Sequence, residues 1–133
     1  MLMPNQAGYQ SYQRNKYETA SPHKLILMLY TGAIQFASRA QTSIMERQYV
    51  EANKQILKVQ DILYELISTL NEQEGGEIAS NLKALYLYML DKLVQANLKK
   101  EAEPLTEVID ILRNVKEAWE QIGKGVTLGQ ATT

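Results

Sequence analysis

From Pro22 to Ile122 apolar residues return every three or four positions, and the chain reads as helix almost throughout. Punctuation divides that pattern. Ser21 is a side-chain cap and Pro22 suits a first helical position, where a missing N–H is no loss. Gly75 and Gly76 mark a stop and restart, and Pro104 opens a last helix. One boundary has no such mark. A single helix over 22–73 would run about 78 Å, too long for a domain of this size, and its apolar face would rotate by about 80°. A break near Arg47–Tyr49 resolves this. The pattern predicts helices over 22–46, 49–73, 77–99 and 104–122, joined by short connections that make neighbours antiparallel. The expected fold is all-α, an antiparallel up-down four-helix bundle with a short extra helical segment at its N-terminus. Residues 1–122 form one domain, about 1–20 serving as a cover segment. Residues 123–133 lack periodicity and read as a mobile tail.

Two of these helices carry a single stripe. In 49–73 it is Ala52, Ile56, Val59, Leu63, Leu66, Ile67 and Leu70, with Lys54, Lys58, Asp61, Glu65 and Glu72 opposite. In the last helix it is Leu105, Val108, Ile109, Leu112, Val115, Trp119 and Ile122. The other two carry more apolar surface than one stripe. The arc of 22–46 spans about 200°, centred on Ile26, Leu29, Ala33, Ala37 and Ala40, with Leu27, Tyr30 and Ile34 on one flank. The helix 77–99 has an inward stripe through Ile78, Leu82, Leu85, Tyr86, Met89, Leu93 and Ala96. A second, about 120° away, runs through Leu87, Leu90, Val94 and Leu98.

Contiguous surplus stripes mark a contact. Its occupant is open at this level: the chain's own N-terminal segment, a second copy in a homodimer, or amphipathic helices of another protein laid into a groove. Tyr9, Tyr12 and Tyr17, set among Gln, Ser, Asn, Arg and Lys, suit a segment that is alternately buried and wet, and they are the candidate movable cover. The candidate groove comprises Leu25, Leu27, Leu29, Tyr30 and Ile34 with Tyr86, Leu87, Leu90, Val94 and Leu98.

Composition narrows the function. A net charge of −1 over 133 residues does not favour a nucleic-acid binder. The absence of cysteine excludes disulfides and thiolate metal sites, and no window reaches the ~20 apolar residues of a membrane span, so the expected setting is the cytoplasm. The single histidine, His23, sits at a helix start and reads as structural. No Glu-x-x-His pair, phosphate-binding loop or Ser–His–Asp set is present. The expectation is a protein without enzymatic activity, metal or cofactor. Asn81 and Asn97 lie near the apolar face of their helix and read as boundary residues bonded to backbone or to a partner.

The residues also resemble a known family. "TASPHKLILMLYTGAI" (19–34), "GGEIASNLKALYLYML" with "KLVQANL" (75–98) and "EVIDILRNVKEAWEQI" (107–122) are similar to the flagellar secretion chaperones of the FliS family, with Trp119 at the family's tryptophan position. Thr31 departs from a usual aspartate, and Leu87 stands where a polar residue is common. The resemblance implies a helical bundle that holds the disordered C-terminal region of flagellin in the bacterial cytoplasm. It implies that premature polymerisation is prevented and that the loaded complex goes to the flagellar type III export gate. It also implies an N-terminal segment that occupies part of the binding surface when the client is absent.

Overall fold

The computed structural model describes residues 21–125, and Tyr9, Tyr12 and Tyr17 lie outside them. Among the described residues the chain forms four helices and no strand: α1 (Pro22–Met45), α2 (Tyr49–Ser68), α3 (Glu72–Lys99) and α4 (Glu103–Gly125). The Ser21 hydroxyl accepts from the Lys24 amide at 3.2 Å, so α1 starts as its sequence dictates.

Each helix packs on two others, α1 on α2 and α4, and α3 on the far sides of the same pair. Gly32 of α1 lies against Ile62 of α2, and Phe36 four residues on lies under the Lys58 ammonium. His23 meets Trp119 of α4, and Gln41 bonds Thr106. Both pairings run in opposite chain directions. Ala33, Ala37 and Ala40 of α1 are completely buried, which lets α2 and α4 approach closely. Ile56, Val59, Leu63, Leu66, Met89, Leu93, Leu105, Val108 and Leu112 fill the centre.

Across that centre the Tyr30 and Tyr86 hydroxyls meet at 2.5 Å, joining α1 to α3, which otherwise lie diagonally opposed. Both side chains are buried, and burial pushes both phenols' pKa values up, so the pair stays neutral.

The connections differ from expectation in instructive ways. The break after α1 falls where required, yet without glycine. Arg47 adopts φ 60° in the left-handed region, its N–H donating to Ile44 O at 2.9 Å and that of Gln48 to Ser43 O at 2.8 Å. Lys100 does the same work after α3 at φ 58°. Helix α2 stops at Ser68 rather than 73, because the Ser68 and Thr69 hydroxyls bond back to Glu65 O and Leu66 O at 2.6 Å and Asn71 caps a new start. Helix α3 therefore begins at Glu72, five residues before the expected 77. It bends at Gly76 (φ 56°, ψ −130°), a conformation that favours glycine, and runs straight only afterwards. Helix α4 continues to Gly125, past the expected end at 122.

Two outcomes follow. Arg47→Gly will raise stability by about 0.5–1 kcal/mol, seen as a higher urea midpoint, because glycine adopts the left-handed turn without a Cβ clash. Tyr30→Phe or Tyr86→Phe alone will each lower stability by about 1–2 kcal/mol by stranding a buried hydroxyl, and the double variant will lose less than their sum in a urea cycle.

Candidate functional site

The straight part of α3 divides its apolar residues between two environments. Tyr86, Met89, Leu90, Leu93 and Ala96 point inward and are buried. Leu87, Val94 and Leu98 are exposed. The surplus stripe is therefore real but narrower than the sequence suggested, because Leu90 turns toward the centre.

Helix α1 departs further. Leu29 and Tyr30 belong to the core, as does Tyr86, so these three and Leu90 are not groove-lining residues here. Leu25, Leu27 and Ile34 are half-buried. Leu27 and Ile34 lie fourteen and seven residues before Gln41, whose amide donates to Thr106 of α4, so they occupy the flank facing α4. Leu25 lies seven before Gly32 and shares its flank toward α2. The broad arc of α1 thus reflects two neighbours, and its residues are not brought together with Leu87, Val94 and Leu98.

What faces the α3 stripe comes from α2. Val50, Leu57 and Tyr64 repeat every seven residues, on the flank next to Asn53. Asn53 accepts from the Asn97 amide at 2.7 Å, which fixes that flank against α3. Val50 and Leu98 line one depression with Tyr49, Asn53, Asn97 and Lys100. Val50 and Leu98 share that depression, and counting along the two opposed helices from the Asn53–Asn97 bond brings Leu57 level with Val94 and Tyr64 level with Leu87. All six of these side chains are between 45% and 76% exposed. The walls form an apolar groove along the α2–α3 seam. Its outer margins carry both signs of charge, with Lys54 and Asp61 on α2 and Asp91 on α3. The α2 wall escaped the sequence analysis because on the helix surface its residues lie among polar ones, Asn53, Lys54, Gln60 and Asp61. The signal was their seven-residue spacing.

The opposite seam of α3 is latched by polar groups. The Tyr88 hydroxyl donates to the Glu107 carboxylate, and the Lys92 ammonium lies 3.4 Å from the same side chain. The Tyr88 bond, with the Lys92 charge behind it, holds the Glu107 carboxyl below its ordinary range. Although desolvation of Lys92 works the other way, Glu107 and Tyr88 together hold its ammonium's pKa up.

At one end of the bundle His23 stacks on Trp119 with ring centres 5.1 Å apart, and the indole N–H donates to the His23 carbonyl at 3.0 Å. Among the described residues no cluster of three or more His, Cys, Asp or Glu could hold a metal, and no helix is long and apolar enough to cross a membrane. The arrangement can bind apolar helical surface.

The family model described as flagellar protein FliS matches residues 5–126. The chain is 34% identical over 128 residues to the flagellar secretion chaperone FliS of Campylobacter jejuni, covering 96% of this chain and the whole of that relative. It is 38% identical over 121 residues to the protein of the same name from Salmonella typhimurium, covering 87% of this chain and 90% of the relative. For the Bacillus subtilis protein the figures are 37% over 119 residues, 90% and 88%.

The latch gives a pH dependence whose sign follows from Glu107. A carboxyl depressed by folding adds stability above its ordinary range, and that increment disappears as pH falls through the folded value. Glu107→Gln will therefore be less stable than the native chain at neutral pH, and the gap will close on acidification, as followed by urea unfolding across the pH series.

Proposed function

The chain belongs to the flagellar protein FliS family, and on that footing we propose that it is a cytoplasmic export chaperone whose α2–α3 groove receives a helix from the C-terminal region of flagellin. The observation that carries this is the facing pair of apolar walls, Val50, Leu57 and Tyr64 against Leu87, Val94 and Leu98, left open to solvent beside a complete core. A client that is disordered when free needs apolar surface to offset its ordering. Covering six half-exposed side chains contributes roughly 1 kcal/mol each, half of a full burial. That total is comparable with the 2–5 kcal/mol or so that ordering a segment consumes, and leaves little for association itself. The client therefore extends beyond this groove.

In this reading the occupied groove shields flagellin from premature polymerisation, and the loaded complex is what the flagellar type III export gate receives. The segment bearing Tyr9, Tyr12 and Tyr17 covers apolar surface before the client arrives and yields to it. Release needs no nucleotide, since export or subunit assembly competes for the same client segment.

Leu57→Asp combined with Val94→Asp places two carboxylates on opposing walls at positions that are already about half exposed, so helicity by circular dichroism will be retained. Affinity for a flagellin C-terminal fragment will fall at least a hundredfold or so by calorimetry, since each wall loses on the order of 1–3 kcal/mol. Unchanged affinity would remove the groove from the binding surface. Sedimentation of the native chain with the fragment will show a one-to-one complex. A tight dimer indifferent to the fragment would instead make a second copy the occupant.

A further inference from the structure

The walls of the groove have a consequence for what can sit between them. Val50, Leu57 and Tyr64 recur every seven residues on α2, and Leu87 and Val94 are seven apart on α3. A docked helix with its own seven-residue apolar repeat fits such walls. It fits nearly as well after sliding by one repeat, about 10 Å along the axis. Apolar contact alone leaves the register of the client degenerate.

The groove contains one feature that breaks this translational sameness. Asn53 and Asn97, both half-buried, meet between the Val50–Leu98 end and the Leu57–Val94 middle. Their bond uses one N–H of Asn97 and an acceptor site on Asn53. The two side-chain amide N–H groups of Asn53 and the side-chain amide oxygen of Asn97 make no other protein hydrogen bond among the described residues, and they remain accessible to water. When a helix closes the groove that water leaves. An apolar side chain set over the pair strands a donor and an acceptor, whereas an Asn, Gln, Ser or Thr side chain replaces the lost bonds. That difference is worth about a ten- to hundredfold preference between registers.

We propose that the Asn53–Asn97 pair fixes the register of the client helix in the α2–α3 groove by demanding one hydrogen-bonding side chain at a single position of an otherwise apolar face. A lone polar position in a coiled-coil seam acts in the same way, lowering affinity while selecting one alignment. The proposal rests on the groove being the client site. Asn53 and Asn97 are positioning residues in it, distinct from the apolar walls that supply affinity.

The test uses the full chain. It has no cysteine, so Lys54→Cys, at an exposed position on the groove margin, carries a single nitroxide. A flagellin C-terminal fragment with one engineered cysteine in the docking helix carries the second. Pulsed electron paramagnetic resonance then reads the separation. The native pair of asparagines will give one narrow distance. Asn53→Leu with Asn97→Leu will keep affinity within about tenfold, or raise it, and will add a second population displaced by about one repeat. Asn53→Asp retains an acceptor for Asn97 and shares its depression with Lys100, so it stays folded. It lacks the two outward N–H donors and will bind at least about tenfold more weakly.

A single unshifted distance in the double leucine variant, or undiminished affinity in Asn53→Asp, overturns the proposal. If the leucine variant is poorly folded, the aspartate variant alone decides. Loss of binding in Leu57→Asp with Val94→Asp alongside an unshifted distance would sink only the register role. Retention of binding there would sink the groove itself.

Discussion

Three alanines along α1, at 33, 37 and 40, bury completely and let that helix sink between α2 and α4. Much of the rest depends on this close approach. With α1 seated on both neighbours, the centre is narrow enough for two tyrosine hydroxyls to meet across it, and α3 is drawn in by that contact and by a single inward stripe. Any further apolar residue on α3 has no helix left to face. The surplus surface is thus a product of the same packing that makes the core tight.

The two flanks of α3 show how the exposed stripe stays exposed without loosening the helix. Toward α4 the seam is fastened by Tyr88, Lys92 and Glu107, groups that water also satisfies and that therefore add orientation more than stability. Toward α2 it is fastened by one amide pair, with the apolar walls splayed outside it. A bundle closed by greasy contacts on every flank would leave nothing for another chain. Here the polar fastenings hold the geometry and the apolar area is kept available.

Much of this could be read from the residues. Periodicity gave the helices, the capping serine and the place of the first break, and the second stripe on α3 was visible as Leu87, Val94 and Leu98. Leu90 was misplaced because on a wheel it lies between the inward and outward groups, and only the position of α2 decides which it joins. The wide arc of α1 is legible but ambiguous, since two flanking neighbours and an outward groove leave the same mark. Tyr30 and Tyr86, both groove candidates, each supply the other's hydrogen bond and so tolerate full burial, a pairing no local pattern reveals. The α2 wall was hidden because Val50, Leu57 and Tyr64 lie among polar residues on the helix surface, beside the stronger inward stripe. Arg47 and Lys100 took left-handed turns that composition reserves for glycine, so no signal marked them.

The bend at Gly76 bears on the size of what the bundle can hold. Beyond it α3 changes direction, so the two walls remain parallel only from 77 to 99 on one side and from 49 to 68 on the other. That common length is about 30 Å, some five and a half turns. A visiting helix longer than this overhangs with one side unsupported, and a shorter one forgoes a contact. Ser68, where α2 ends, and Gly76, where α3 turns and an added Cβ would meet open space, together bound a molecular ruler.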